Sequence, residues 1–177
     1  MNLITKILNV ENNITISYNL RMRHNIESEI QQPNLRKMRL SDLKMLRINK
    51  NKNKDYFFLQ EDISESQQIQ WYEFMRTQTD NVMFMCVDNN GDSFGCIGYR
   101  KLENVIDIYN VIRFKPSEIT MSECIKNLIS GILKKYVNIP IQVLVLDNNP
   151  AIKWYEKNDF TIVEHKNNFV KMILNND

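Results

Sequence analysis

The side chains in this sequence that could move a proton are few and well separated. Near the C-terminus, Val143–Phe160 reads VLVLDNNPAIKWYEKNDF and carries the Tyr155 hydroxyl on a short helix behind an apolar run. Earlier, NVIDIYNVIRF alternates, putting Asp107, Tyr109, Val111 and Arg113 on one strand face and Ile106, Ile108, Asn110 and Ile112 on the other. A carboxylate and a phenol on one face can take up or relay a proton where an attacking nucleophile must lose one. His165 has no visible partner, and the chain contains no zinc motif, no GKS/T phosphate loop and no defensible Ser-His-Asp spacing. Cys86, Cys96 and Cys124 are odd in number and lie among apolar residues, as in MFMCV, without metal-ligand spacing. They read as buried free thiols, and no metal is expected.

The elements that must position these groups are legible along the chain. LRKMRL (Leu35–Leu40) reads as a short strand, and Ser41 is placed to cap the helix DLKMLRINKN. A charged loop tipped by Tyr56, Phe57 and Phe58 follows, and Ser64 with Gln67 forms a capping box opening ESQQIQWYEFMRTQ. VMFMCVD and FGCIGYRKL flank NNGDS, a hairpin signal, and NVIDIYNVIRF is the third strand of that run. Thr120 and Glu123 form a second capping box, opening a helix with Ile125, Leu128, Ile129, Ile132, Leu133 and Tyr136 as its core stripe. PIQVLVL is nearly continuously apolar, as a strand covered on both faces must be. Asn149 can cap the next helix, with Pro150 in its first turn, and TIVEHKNNFVKMIL supplies one or two closing strands. This order predicts an α/β sandwich around a mixed sheet.

Bulk properties exclude several classes. At 177 residues the chain is long enough for a buried core. A net charge of +2 lacks the basic excess of a nucleic-acid binder, and the cluster Arg21, Arg23, Arg36, Lys37 and Arg39 is too small to replace it. No apolar stretch approaches the ~20 residues needed to cross a bilayer, so no membrane partner is expected. MNLITKILNVENNITISYNL lacks the basic-then-apolar order of a signal peptide, and free thiols imply a reducing, cytoplasmic setting. Residues 1–34 read as an extension, with a hairpin carrying Arg21, Arg23 and His24, ahead of one domain over 35–177.

The C-terminal stretch resembles the GNAT N-acetyltransferase superfamily, whose members carry a central strand ending in Asn and then a helix of the form AI-x-x-Tyr-Glu-Lys-x-Gly-Phe. The matching residues are Asn148, Ala151, Ile152, Tyr155, Glu156, Lys157 and Phe160, with Asp159 where the family has glycine. The resemblance extends over Leu35–Leu174 and implies a three-layer sandwich with a splayed central sheet. It implies acetyl-CoA as donor, its pantetheine arm lying along the strand of Val111, Ile112 and Arg113 where that strand parts from QVLVL. It also implies that Tyr155 protonates the departing thiolate, with Asp107 as base and Asn148 as a cofactor contact. The acceptor is a primary amine on a small molecule or peptide, in a pocket walled by Tyr56, Phe57 and Tyr109; a homodimer is left open.

One departure stands out. The family's pyrophosphate loop, Arg/Gln-x-x-Gly-x-Gly/Ala, corresponds here to FKPSEITMSECI, which has no glycine and carries Glu118 and Glu123. The expected phosphate contacts are therefore the helix-opening amides of Thr120, Met121 and Ser122, with charge from Lys115 or Arg113. The alternative is a GNAT-fold sensing or scaffolding domain that lost the chemistry.

Overall fold

The computed structural model describes residues 32–175, so the expected N-terminal hairpin with Arg21, Arg23 and His24 lies outside the described residues. Strand β1 (Leu35–Lys37) leads through a 3-10 turn to helices α1 (Leu43–Lys52) and α2 (Glu65–Arg76). Strands β2 (Asn81–Val87), β3 (Ser93–Lys101) and β4 (Ile106–Arg113) follow, then α3 (Met121–Lys135) and β5 (Ile141–Leu146). The chain closes with α4 (Ala151–Glu156), β6 (Phe160–Lys166) and β7 (Phe169–Leu174). These seven strands form one mixed sheet in the order β1-β2-β3-β4-β5-β7-β6, parallel only where β4 meets β5.

The local signals act largely as their chemistry dictates. The Ser64 hydroxyl accepts from the Gln67 amide at 3.3 Å while Gln67 Oε1 accepts from the Ser64 amide at 2.8 Å. At the β2–β3 turn, Asp88 Oδ1 accepts from the amides of Asn90 and Asp92, and Gly91 takes φ 84°. Ser41 does not cap α1: a 3-10 turn over Leu40–Asp42 starts first and places Ser41 inside it. Asp42 does the work instead, accepting from the Arg39 amide at 2.7 Å and pairing with Arg36 at 2.9 Å.

One face of the sheet is covered by α1 and α2, whose Leu43, Leu46 and Met75 pack with Met83, Met85, Cys96 and Ile112. Trp71 and Tyr72 pack against the same cluster, so the aromatic pair of α2 belongs to the core. The other face carries α3, whose Cys124, Ile125, Leu128, Ile129 and Ile132 are buried. Each buried isoleucine there contributes about 1.5–3 kcal/mol of hydrophobic stabilisation. Leu133, expected in that stripe, is 40% exposed because it lies on its flank. The crossovers β4–α3–β5 and β5–α4–β6 progress in one direction along the sheet, and their right-handedness sets α3 and α4 on the same face. The Trp154 indole of α4 ties the two together, donating to Ser122 Oγ at 3.0 Å.

After α4 the chain turns through Asp159 at φ 68°, the conformation that glycine adopts without a Cβ clash. Asp159→Gly should therefore stabilise the fold by about 0.5–1 kcal/mol. Chemical denaturation checks this, and an unchanged or lower midpoint would contradict it.

Candidate active site

Strands β4 and β5 run side by side yet pair only at Ile106–Ile141 and Asp107–Gln142. Beyond those two pairs they part, and the β4 backbone groups that would have faced β5 have no strand partner there. The divergence has a local cause in β4. Between the pairs Cys96–Ile112 and Gly98–Tyr109, β4 contributes two residues, Asn110 and Val111, against the single Ile97 of β3. Such a bulge bends a strand and raises its twist. Asn110 takes φ 50° to make it, a conformation Asn tolerates better than most residues, and its carbonyl accepts from Cys96 Sγ at 3.2 Å.

The bulge also corrects the strict alternation expected along this strand. Asp107 and Tyr109 share a face, but past the bulge the phase slips by one residue. Ile112 therefore joins the α1/α2 face beside Tyr109, and Val111 and Arg113 do not continue it.

Asp107 occupies the vertex of the opening, and the residue is only 2% exposed. Arg100 on β3 donates through Nε to Asp107 Oδ2 at 2.9 Å, and Gln142 Nε2 donates to Oδ1 at 3.3 Å. Burial pushes the Asp107 carboxyl above its ordinary range, against the opposing pull of Arg100 and Gln142. The Arg100 guanidinium also lies over the Tyr109 ring, 5.2 Å from its centroid. The Tyr109 hydroxyl is committed to Asn81 Oδ1 at 2.5 Å, which turns it into part of the vertex's support.

Tyr155 lies on α4, edge-on to Trp154 at 5.0 Å and to Phe160 at 5.6 Å. Burial raises its pKa, and the negative charge of Asp107 raises it further, so the phenol stays protonated at neutral pH within electrostatic reach of the vertex. Among the described residues its hydroxyl has no hydrogen-bond partner. Tyr155 and Asp107 are thus brought together across the opening, with Val111, Ile112 and Arg113 on its β4 arm.

Other expected contacts are placed differently. Asn148 is exposed in the turn after β5, while Asn149 does the structural work. Its Oδ1 accepts from the Ala151 amide at 2.9 Å, and its Nδ2 donates to the Tyr56 carbonyl at 3.2 Å. That second bond fastens the α1–α2 loop over the end of β5. Tyr56 stays 41% exposed, whereas Phe57 packs on the core with Lys50 Nζ 5.3 Å from its ring centroid. At the start of α3 the Thr120 amide and hydroxyl both donate to Glu123 Oε2, at 2.7 and 2.8 Å. All three cysteines are free and buried, and burial pushes the Cys96 thiol up, as suits core residues. Among the described residues no group of three or more His, Cys, Asp or Glu is placed to hold a metal ion.

Arg100, Asn110, Gln142 and Trp154 were not singled out as site residues by the sequence reading, and of Asn149 only the helix-capping role was expected. Gln142 did leave a signal, as the lone polar side chain in PIQVLVL; Asn110 left a weaker one, as an Asn in mid-strand.

No protein-family model matches this sequence, and no curated protein matches it. Solved structures do. The spermidine N-acetyltransferase of Vibrio cholerae, in complex with CoA and spermine, superposes with a TM-score of 0.63 at 18% identity, over 78% of this chain and 92% of that one. An N-acetyltransferase from Staphylococcus aureus Mu50 gives 0.61 at 15% identity, over 79% and 96%. FdhC, a nucleotide-linked sugar GNAT, gives 0.58 at 12%, over 79% and 84%. The chain has the GNAT fold: a mixed, splayed seven-stranded sheet with helices on both faces.

The raised Asp107 carboxyl has a measurable consequence. It binds its proton more tightly in the folded chain than in the unfolded one, so its contribution to stability is greatest below the ordinary value of 3.8 and is lost as pH rises through the raised value. Asp107→Asn lacks that slope. Wild-type stability relative to the variant should fall as pH rises above the ordinary value of 3.8 in urea titrations, and a flat or rising difference would contradict the assignment.

Proposed function

We propose that this chain is an acyl-CoA-dependent N-acyltransferase that moves an acetyl group from acetyl-CoA to a primary amine by direct attack. The reading rests on one observation: an unpartnered Tyr155 hydroxyl beside Asp107 at the vertex of an opening whose β4 backbone groups lack strand partners. Those groups suit the amides of a pantetheine arm lying between the strands. The amine nitrogen attacks the thioester carbonyl carbon, the carbon–sulfur bond breaks, and the departing sulfur takes the Tyr155 proton. The nitrogen's surplus proton goes to Asp107, directly or through water. A carboxyl held above its ordinary range is better matched to an amine proton than an unperturbed one.

The acceptor enters from the α1/α2 face, beneath the loop that Asn149 holds through Tyr56. One structural neighbour is described as binding spermine and another as a nucleotide-linked sugar enzyme. For this chain we favour an amino sugar or a peptide amine over a polyamine, because the half-exposed Arg100 neutralises the vertex carboxylate that a polycation would seek. We assign the protein to the cytoplasm on the strength of its free buried thiols. A second reading, a binding domain without chemistry, draws its support from the start of α3, where Thr120, Ser122 and Glu123 are bonded internally.

Tyr155→Phe separates the two. Loss of the proton donor should lower kcat by about 10²–10⁴-fold with an unchanged melting temperature, because the hydroxyl bonds nothing in the fold. Undiminished turnover would remove Tyr155 from the chemistry. Absence of wild-type turnover across a panel of amines would favour the second reading.

A further inference from the structure

The segment Phe114–Thr120, between β4 and α3, is where a GNAT-fold acyltransferase would meet the pyrophosphate of its donor. Phosphate capture by a loop and helix start requires backbone N–H groups that are free to converge on the anion. In this chain most are already spent. The Phe114 and Lys115 amides both donate to the Phe94 carbonyl, at 2.8 and 3.3 Å. Pro116 has no N–H. The Ile119 amide donates to Ser117 Oγ at 3.2 Å, and the Thr120 amide donates to Glu123 Oε2 at 2.7 Å.

The first turn of α3 keeps the Met121 and Ser122 amides free of internal bonds, but two unrelated contacts crowd the approach to them. The Glu123 carboxylate sits over the helix start, taking the Thr120 hydroxyl at 2.8 Å while its own amide donates back to Thr120 Oγ1 at 3.1 Å. An anion therefore already occupies the favourable end of the helix dipole. Ser122 is engaged by the Trp154 indole, which holds α4 against the same turn. Glu118, bonded to the Asn89 amide at 3.2 Å, adds a second negative charge to the segment. Arg113 and Lys115 are the cations there, but both are exposed side chains whose attraction is screened at physiological salt. Above Asp107 and Gln142, by contrast, β4 and β5 form no further strand pairs among the described residues.

Building on the acyl-transfer reading, we propose that this site recognises its donor as an acyl-pantetheine thioester and that the nucleotide half of CoA adds nothing to binding. The pantetheine arm is held along β4, and Glu123 takes the place at the α3 start that a phosphate would otherwise fill. The same chemistry is presented by CoA and by the phosphopantetheine arm of a carrier protein, so either can deliver the acyl group.

Calorimetry on the full chain near physiological salt tests this with three probes: acetyl-CoA, S-acetylpantetheine and adenosine 3′,5′-bisphosphate. The two thioesters should bind within about threefold of each other, and the bisphosphate should not compete with either. Glu123→Gln, which removes the charge and keeps the shape, should tighten acetyl-CoA several-fold and leave S-acetylpantetheine unchanged. Acetyl-CoA binding ten-fold or more tighter than S-acetylpantetheine, about 1.4 kcal/mol, overturns the proposal and leaves acyl transfer standing. Failure of both thioesters to bind overturns acyl transfer itself. An unaltered acetyl-CoA affinity in the variant removes Glu123 as the cause. Comparing kcat/KM with acetyl-CoA and with an acetyl-loaded carrier protein then identifies the source.

Discussion

Among the described residues, two strand pairs, Ile106 with Ile141 and Asp107 with Gln142, link the four strands on one side of the sheet to the three on the other. The junction stays narrow because the Asn110 bulge bends β4 away immediately above it. It holds because the vertex is braced by a buried polar chain, Gln142 to Asp107 to Arg100, instead of by more strand pairing. Buried polar groups are tolerable only when partnered, and Asp107 is partnered on both oxygens. Burial nonetheless holds its carboxyl above the ordinary range against the pull of those partners, within electrostatic reach of Tyr155. Structure and chemistry share one set of contacts at this point, so the brace of the sheet is also the polar centre of the candidate site.

The ends of the sheet are arranged around that vertex. Asn149 holds the first turn of α4 with one side-chain atom and draws in the Tyr56 carbonyl with another, so the helix that carries Tyr155 and the α1–α2 loop are fastened through one residue. On the α3/α4 face, Trp154 and Ser122 fix the spacing of the two helices. The start of α3 illustrates a competition. The capping box engages the Thr120 and Glu123 amides and sets a carboxylate at the helix start, the place a bound phosphate would require. In this chain the cap has won.

Much of this was legible in the sequence, for definite reasons. Capping boxes at Ser64/Gln67 and Thr120/Glu123 depend on residues three apart, so local chemistry decided them. The element order and the Asn148–Phe160 motif gave the fold, and the left-handed turn falls on Asp159, where the motif has glycine. What escaped depends on contacts between distant segments. Ser41 was displaced as a cap because Asp42 is drawn to Arg36 and Arg39, an attraction invisible from propensity alone. The phase slip at Asn110 misplaced Ile112, because one left-handed residue in a strand looks the same as any other Asn in the sequence. Arg100 met Asp107 only through the β3–β4 register, and the bond from Asn149 to the Tyr56 carbonyl joins segments 93 residues apart.

The central claim is that the opening above Asp107 and Gln142 holds an acyl donor. Amide NMR of the labelled chain titrated with acetyl-CoA tests it most directly. The account expects the largest shift changes at Asn110–Arg113 and Val143–Leu146, the two arms of the opening. Shifts confined to residues elsewhere, with both arms unmoved at saturation, would contradict it.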